Sequence, residues 1–255
     1  MLSLRPLPAF TDNYIWTLAN VDGQALIVDP GDAGPVLDAA AGGMRPVAIL
    51  LTHHHPDHIG GVAELLKHFD IPCYAPVDVR IAEATHRVAE GESIRVPELS
   101  LDLEVLAVPG HTLSHVAYRG GGFLFCGDTL FSLGCGRMFE GSPAQMLSSL
   151  ERLGALPGET LVCCGHEYTQ DNGRFSLTVE PENPDRDARL AEVCALGLRG
   201  MPSLPISIAS ERACNPFLRI DQPGIVHSLR SRGFVGDDRI QAFAALRSWK
   251  DGFAA

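Results

Sequence analysis

The chain has 255 residues, 45% of them apolar and 20% charged, which suits one large globular domain or one plus a small appendage. Its formal net charge of −11 is unsuited to nonspecific binding of nucleic acid phosphates, so no nucleic acid partner is expected. No apolar run approaches the roughly 20 residues of a membrane span, and Met1-Leu2-Ser3-Leu4-Arg5-Pro6 lacks the pattern of a secretory signal, so a cytoplasmic monomer without membrane contact is expected.

In chain order, Tyr14–Ala19 and Gln24–Val28 read as strands joined across Asn20-Val21-Asp22-Gly23, because Asp-Gly between apolar runs signals a hairpin. Residues 34–41 suit a short helix ended by Gly42-Gly43. Val47–Leu51 suits a buried strand, 62–69 a helix, and 71–75, 93–96 and 101–108 further strands. Val116–Tyr118 and Phe123–Cys126 pair across Arg119-Gly120-Gly121-Gly122. Pro143–Leu153 has helical spacing, with Ser142 as N-cap and Pro143 at the first position, and Thr160–Cys164 is another buried strand. After Thr169 the texture turns helical, over 171–179, 184–198 and 237–249. The expected organisation is a mixed α/β domain over residues 1–170 and a small, mainly helical region over 171–255. The seven cysteines are odd in number and form no C-x-x-C, which reads as reduced thiols.

Chemistry concentrates at Leu51-Thr52-His53-His54-His55-Pro56-Asp57-His58-Ile59-Gly60-Gly61. Four metal-ligand side chains of imidazole and carboxylate type follow an apolar run, a donor set that suits zinc, iron or manganese. In an extended segment residues two apart point the same way, so His53 and His55 can face one ion. Asp57 and His58 lie where the chain turns and can serve a neighbouring ion. His111, Asp128 and His166 each follow a glycine at the end of an apolar run, where the backbone can turn sharply toward a shared sheet edge. Asp128 is the candidate bridge, and seven ligands shared by two ions a few ångströms apart form a plausible total. His54 is expected to point away, and His115 to play a structural part. His68, His86 and His227 read as ordinary surface or locally hydrogen-bonded residues.

These residues resemble the metallo-β-lactamase superfamily. Thr11-Asp12-Asn13-Tyr14, Val28-Asp29-Pro30-Gly31-Asp32, Cys126–Phe131, Gly134–Gly141, Cys164–Thr169, Val179-Glu180-Pro181, Asn215–Arg219 and Arg247-Ser248-Trp249-Lys250-Asp251 narrow the resemblance to the glyoxalase II, or hydroxyacylglutathione hydrolase, family. The resemblance implies an αββα sandwich followed by a small C-terminal helical domain that binds glutathione. It implies one divalent ion on His53, His55 and His111, a second on Asp57, His58 and His166, and a bridge from Asp128. Zinc is the expected metal, with iron or manganese as alternatives. It places substrate contacts on Arg137, Phe139, Tyr168, Arg247 and Lys250. Phe139 stands where the family often has tyrosine, and Met138 also departs from the pattern.

The implied reaction is hydrolysis of S-D-lactoylglutathione, and of related S-2-hydroxyacylglutathiones, to glutathione and D-lactate. That is the second step of methylglyoxal detoxification. Water activated by the ions is the nucleophile, with Asp57 helping to orient it. No side-chain nucleophile is needed, and no G-x-S-x-G elbow is present to supply one. Glutathione carries about −1 net charge at neutral pH, so Arg137, Arg247 and Lys250 would form a local cationic pocket in an acidic protein. Rival readings are a mononuclear-iron sulfur dioxygenase acting on glutathione persulfide and a non-enzymatic metal-binding protein.

Overall fold

The hairpin signalled by Asp22-Gly23 starts the first sheet. In the computed structural model of the chain, which describes residues 1–253, β1 (Ser3–Ala9), β2 (Asn13–Ala19) and β3 (Gln24–Val28) run antiparallel. Helix α1 (Gly34–Ala41) crosses to β4 (Arg45–Leu50), which lies parallel to β3. The short α2 (Pro56–Ile59) and then α3 (Val62–His68) cross to β5 (Cys73–Pro76), and β6 (His86–Val88) closes the edge. The six strands therefore lie in sequence order. Period-two alternation puts Ala25, Ile27, Ile49, Leu51, Cys73 and Ala75 in one core with Val36 of α1 and Val62 and Leu65 of α3. Trp16, Leu18, Leu26 and Leu50 are buried on the opposite face. A sheet buried on both sides reads as near-continuous apolar runs, as Leu26–Val28 and Ala48–Leu51 do.

The chain divides into two units. The first holds Met1–Ala107 with Ser114–Gly127, and the second holds Val108–Leu113 with the chain from Asp128 onward. The first unit also contains β7 (Ser93–Val96), β8 (Leu101–Ala107), β9 (Val116–Gly120) and β10 (Phe123–Gly127), antiparallel neighbours in that order. The β9–β10 turn is Gly121-Gly122 with φ of +58° and +87°, the two left-handed residues that a type I′ hairpin needs.

In the second unit β11 (Leu130–Phe131) and β12 (Gly134–Cys135) form a tight hairpin. Helix α4 (Pro143–Gly154) follows, with the capping box that Ser142 and Gln145 make at its start, and then β13 (Leu161–Cys164). The rest is largely helical: α5 (Thr169–Val179), α6 (Pro184–Gly197), the two-residue β14 (Ile206–Ser207), α7 (Ile208–Cys214), α8 (Pro223–Ser231) and α9 (Arg239–Asp251). Phe175 meets Phe217, Trp249 and Phe253 at ring-centroid distances of 6.2, 5.5 and 5.4 Å, an aromatic core for α5 and α9.

Three of these helices hold the β11–β12 hairpin by its backbone. Asn172 Nδ2 of α5 donates to Ser132 O at 3.0 Å, and Arg247 Nη1 of α9 donates to Cys135 O at 2.8 Å. Glu211 of α7 accepts from Leu133 N at 2.9 Å, and Asn215, just past α7, donates to Phe131 O and Gly134 O at 3.1 and 2.8 Å. The Glu211 carboxyl is fully buried, and that burial pushes it up to about 7 against its hydrogen bonds from Asn215 and Leu133.

No helix among the described residues is long and apolar enough to cross a membrane.

Candidate metal centre

The first unit gathers His53, His55, Asp57 and His58 where β4 ends. His55 is extended (φ −64°, ψ 142°) and Pro56 opens α2, so the two residues after the proline turn off the strand direction. The rings of His53 and His58 lie 4.2 Å apart and those of His53 and His55 4.7 Å apart. The two glycines that follow have a packing reason. A Cβ on Gly60 would sit 2.7 Å from Gly31 O and one on Gly61 2.7 Å from Pro30 O, while on the facing turn a Cβ on Gly31 would sit 1.8 Å from Asp57 O. The Pro30–Asp32 turn and α2 therefore touch backbone to backbone.

Donor and acceptor logic settles which ring nitrogen carries the proton and which the lone pair. Asp29 Oδ2 accepts from Thr52 Oγ1 at 2.7 Å and lies 3.0 Å from His58 Nδ1. A carboxylate only accepts, so His58 Nδ1 carries the proton and Nε2 carries the lone pair. The Thr52 hydroxyl spends its single proton on Asp29, so at 3.0 Å it must accept from His53 Nδ1, which leaves Nε2 as the ligand atom there too. One buried carboxylate thus orients two imidazoles. Asp29 adopts φ of +51° to do so and also accepts from Thr52 N at 2.8 Å. Asp57 Oδ2 accepts from Asn13 Nδ2 at 3.0 Å. As expected, His54 points elsewhere, with Nδ1 3.5 Å from Asp78 Oδ2, and His115 is buried and stacked on His53 at 4.6 Å.

The second unit gathers His111, Asp128 and His166. His111 Nδ1 lies 2.7 Å from the Arg137 carbonyl, an acceptor, so Nε2 is again the ligand atom. Asp128 Oδ2 stands 3.4 Å from both His111 Nε2 and His166 Nε2. The His58 Nε2 to Asp57 Oδ2 distance in the first unit is also 3.4 Å. A charge-assisted hydrogen bond would close to about 2.8 Å, whereas two ligands about 2.1 Å from one tetrahedral ion stand about 3.4 Å apart. The donor sets therefore fit divalent ions bound by nitrogen and oxygen.

The glycines before these residues do not share one role. Gly127 has the left-handed φ of +45° that a sharp turn into Asp128 requires. Gly110 instead leaves room for Met146 of α4, whose atoms would stand 2.8 to 2.9 Å from an added Cβ.

The residues expected to contact substrate all lie in the second unit. Tyr168 stacks on His166 with ring centroids 4.7 Å apart and planes at 6°. Phe139 is 62% exposed, its ring 5.2 Å from that of His111, and its backbone N donates to His111 O at 3.1 Å. The Arg137 side chain is exposed, while Arg247 is buried. Lys250 donates to Asp171 O at 3.3 Å and lies 5.4 Å from the Phe175 ring centroid. Burial, and then the charge of Arg247, lower its pKa below that of an ordinary lysine. Sequence reasoning did not assign parts to Asn13, Asp29, Thr52 or Asp251. Asn13, Asp29 and Asp251 lie inside the family-like motifs, but partners up to 114 positions away give no local signal. The cysteines carry no disulfide, and six of the seven are buried, which raises Cys73 to about 12 and Cys214 to about 11.

Residues 13–166 match the profile of the metallo-beta-lactamase superfamily, and residues 167–253 match that of the hydroxyacylglutathione hydrolase C-terminus. The hydroxyacylglutathione hydrolase of Xanthomonas campestris pv. campestris (strain B100) is 55% identical over 257 residues, 100% of each chain. That of Xylella fastidiosa (strain M12) is 53% identical over 255 residues, 99% of this chain and 98% of its own. Among solved structures, BLEG-1 B3 metallo-beta-lactamase is 26% identical with a TM-score of 0.63, covering 86% of this chain and 99% of that one. ETHE1 from Myxococcus xanthus is 25% identical with a TM-score of 0.64, covering 98% and 99%. TTHA1623 in a di-iron-bound form is 26% identical with a TM-score of 0.59, covering 85% and 100%. The fold is that of the metallo-β-lactamases, followed by a helical C-terminal region, as the sequence led us to expect. Two profiles that together run from residue 13 to 253, and relatives more than half identical along their whole length, establish that the chain belongs to the hydroxyacylglutathione hydrolase family.

Proposed function

We propose that the chain hydrolyses S-D-lactoylglutathione and related S-2-hydroxyacylglutathiones to glutathione and the free 2-hydroxy acid. The observation that carries this reading is that hydrogen bonds leave Nε2 as the ligand atom of His53, His58 and His111, and that Nε2 of His58, His111 and His166 stands 3.4 Å from a carboxylate oxygen. These residues occur in a chain 55% identical, end to end, to a hydroxyacylglutathione hydrolase. His53, His55 and His111 hold one divalent ion in this proposal, Asp57, His58 and His166 a second, and Asp128 bridges them. The superfamily profile spans all seven residues, which supports one shared centre. Two ions, zinc first and iron or manganese as alternatives, acidify water and polarise the thioester carbonyl when bound.

The protein side of the reaction is binding and orientation. Asp57, steadied by Asn13, orients the attacking water and can take its proton. Arg137, Arg247 and Lys250 draw in the glutathione carboxylates, while Tyr168 and Phe139 flank the tripeptide. Burial raises the Cys73 and Cys214 thiols, which keeps them protonated and poor nucleophiles. The functional division is a catalytic part over 1–170 and a glutathione-binding part over 171–255, supported by the junction of the two family profiles at 166/167. A cytoplasmic monomer that binds neither nucleic acid nor membrane completes the proposal, in keeping with the net charge of −11.

The test is loss of thioester absorbance with S-D-lactoylglutathione, with metal analysis of the same sample. Turnover with about two ions per chain is expected. Absence of turnover from a sample holding two ions refutes the hydrolase reading. Oxygen uptake with glutathione persulfide and a single iron would replace it with the dioxygenase.

A further inference from the structure

Arg137 and Arg247 come from distant segments, the loop after β12 and the last helix, yet both guanidinium groups end on one oxygen. Asp251 Oδ1 accepts from Arg137 Nε at 3.3 Å and from Arg247 Nη2 at 3.0 Å. Arg247 is anchored a second time by Cys135 O, and its guanidinium carbon lies 5.3 Å from the Phe217 ring centroid. Its side chain is only 6% exposed, against 58% for Arg137. Arg247 is therefore a fixed post and Arg137 a long, solvated arm. Left alone, that arm would spread over many rotamers and be pushed away by the charge of Arg247. The Asp251 carboxylate offsets both effects. It uses only Nε of Arg137, so the Nη1 and Nη2 pair keeps the forked geometry that matches a carboxylate.

We propose that Asp251 is a positioning residue for substrate recognition: it ties Arg137 to the buried Arg247 so that the outer edge of Arg137 is held ready for a carboxylate of the glutathione moiety. The inference rests on the reading of Arg137 as a substrate contact. It differs in sign from the plain alternative, in which Asp251 is a counter-ion that competes with the substrate for the arginines.

Asp251→Asn keeps the shape and removes the charge. The expected result is a KM for S-D-lactoylglutathione raised about three- to five-fold, the size of one exposed to half-buried ion pair. Neither kcat nor the KM for a thioester lacking the tripeptide should change, and Asp251→Glu should recover most of the loss. A lower KM would mean competition and overturn the proposal. An unchanged KM, or equal losses on both substrates, would overturn it as well. Arg137→Ala, measured in parallel, separates the two levels. If Arg137→Ala raises KM for the glutathione thioester alone and Asp251→Asn does not, the positioning role fails by itself. If Arg137→Ala affects neither substrate, the assignment of Arg137 as a contact is what fails. Should Asp251→Asn not fold, Asp251→Ser, which also removes the carboxylate, carries the test, with the same rise in that KM expected and no rise refuting the idea.

Discussion

Glu211→Gln should flatten the pH dependence of stability. Glu211 sits fully buried at the start of α7, accepting from Leu133 N and Asn215 Nδ2, both at 2.9 Å, with Ser132 beside it. Burial raises its carboxyl from 4.5 to about 7, so the folded chain holds a proton that the unfolded chain has already released. Stability from this group is complete below pH 4.5, falls as pH rises from there to about 7, and is flat above. At about 1.4 kcal/mol for each tenfold change in proton affinity, the loss across that window is about 3 kcal/mol, a large share of the stability of most domains. Glutamine copies the protonated form: its oxygen can accept from Leu133 and Asn215, and its amide can donate toward Ser132. Denaturant unfolding of the metal-stripped chain at pH 5, 7 and 9 gives the comparison. Wild type should lose about 3 kcal/mol relative to the variant between pH 5 and pH 9. Equal slopes in the two proteins, or a variant less stable than wild type at pH 9, would show that Glu211 is content as an anion and would refute the reasoning.

Asp29→Asn leaves the three donors around it, Thr52 N, Thr52 Oγ1 and His58 Nδ1, with one acceptor oxygen in place of two. Metal affinity, read by competition with a chelator, should drop about 10- to 100-fold, and an unchanged affinity would remove Asp29 from the orientation of His53 and His58. Gly31→Ala would drive a Cβ to within 1.8 Å of Asp57 O, so a thermal melt should show a loss of about 1–3 kcal/mol or more, and a wild-type melt would contradict the backbone contact. Asp128→Ala should lower metal content and kcat together, and full activity with two ions bound would rule out its bridging part.

Elements whose cue is local were legible. Gln24–Val28, residues 34–41 and Ser93–Val96 come out with the predicted limits, because hairpin and capping residues flank them. β1 was not legible, since Pro6 and Pro8 argue against a strand. The structure accepts them because β1 is the sheet edge, where a missing N–H costs no ladder bond. Helix α8 has a start signal in Pro223 at its first position, but Gly224 and a short run obscure its period in the sequence. The two-residue strands of β11 and β12 are set by side chains from α5, α7 and α9 and have no period to read. At the candidate centre, residue types and strand ends were legible while ring tautomers were not. The atoms that fix them, Asp29 and the Arg137 carbonyl, lie 29 and 26 positions from His58 and His111.

The β11–β12 hairpin has a consequence for how this chain can vary. Nine steps of backbone separate Asp128 from Arg137, and between them Phe131, Ser132, Leu133, Gly134 and Cys135 are each gripped through their backbone by a side chain from elsewhere. Such a span has no slack in which to absorb an added or missing residue. A change of length there would shift a carboxylate at one end or a guanidinium at the other. New acyl or thiol specificities in this lineage are therefore more readily reached by exchanging side chains around the strut than by lengthening it, and the free variation in loop length belongs to exposed stretches such as Leu198–Met201.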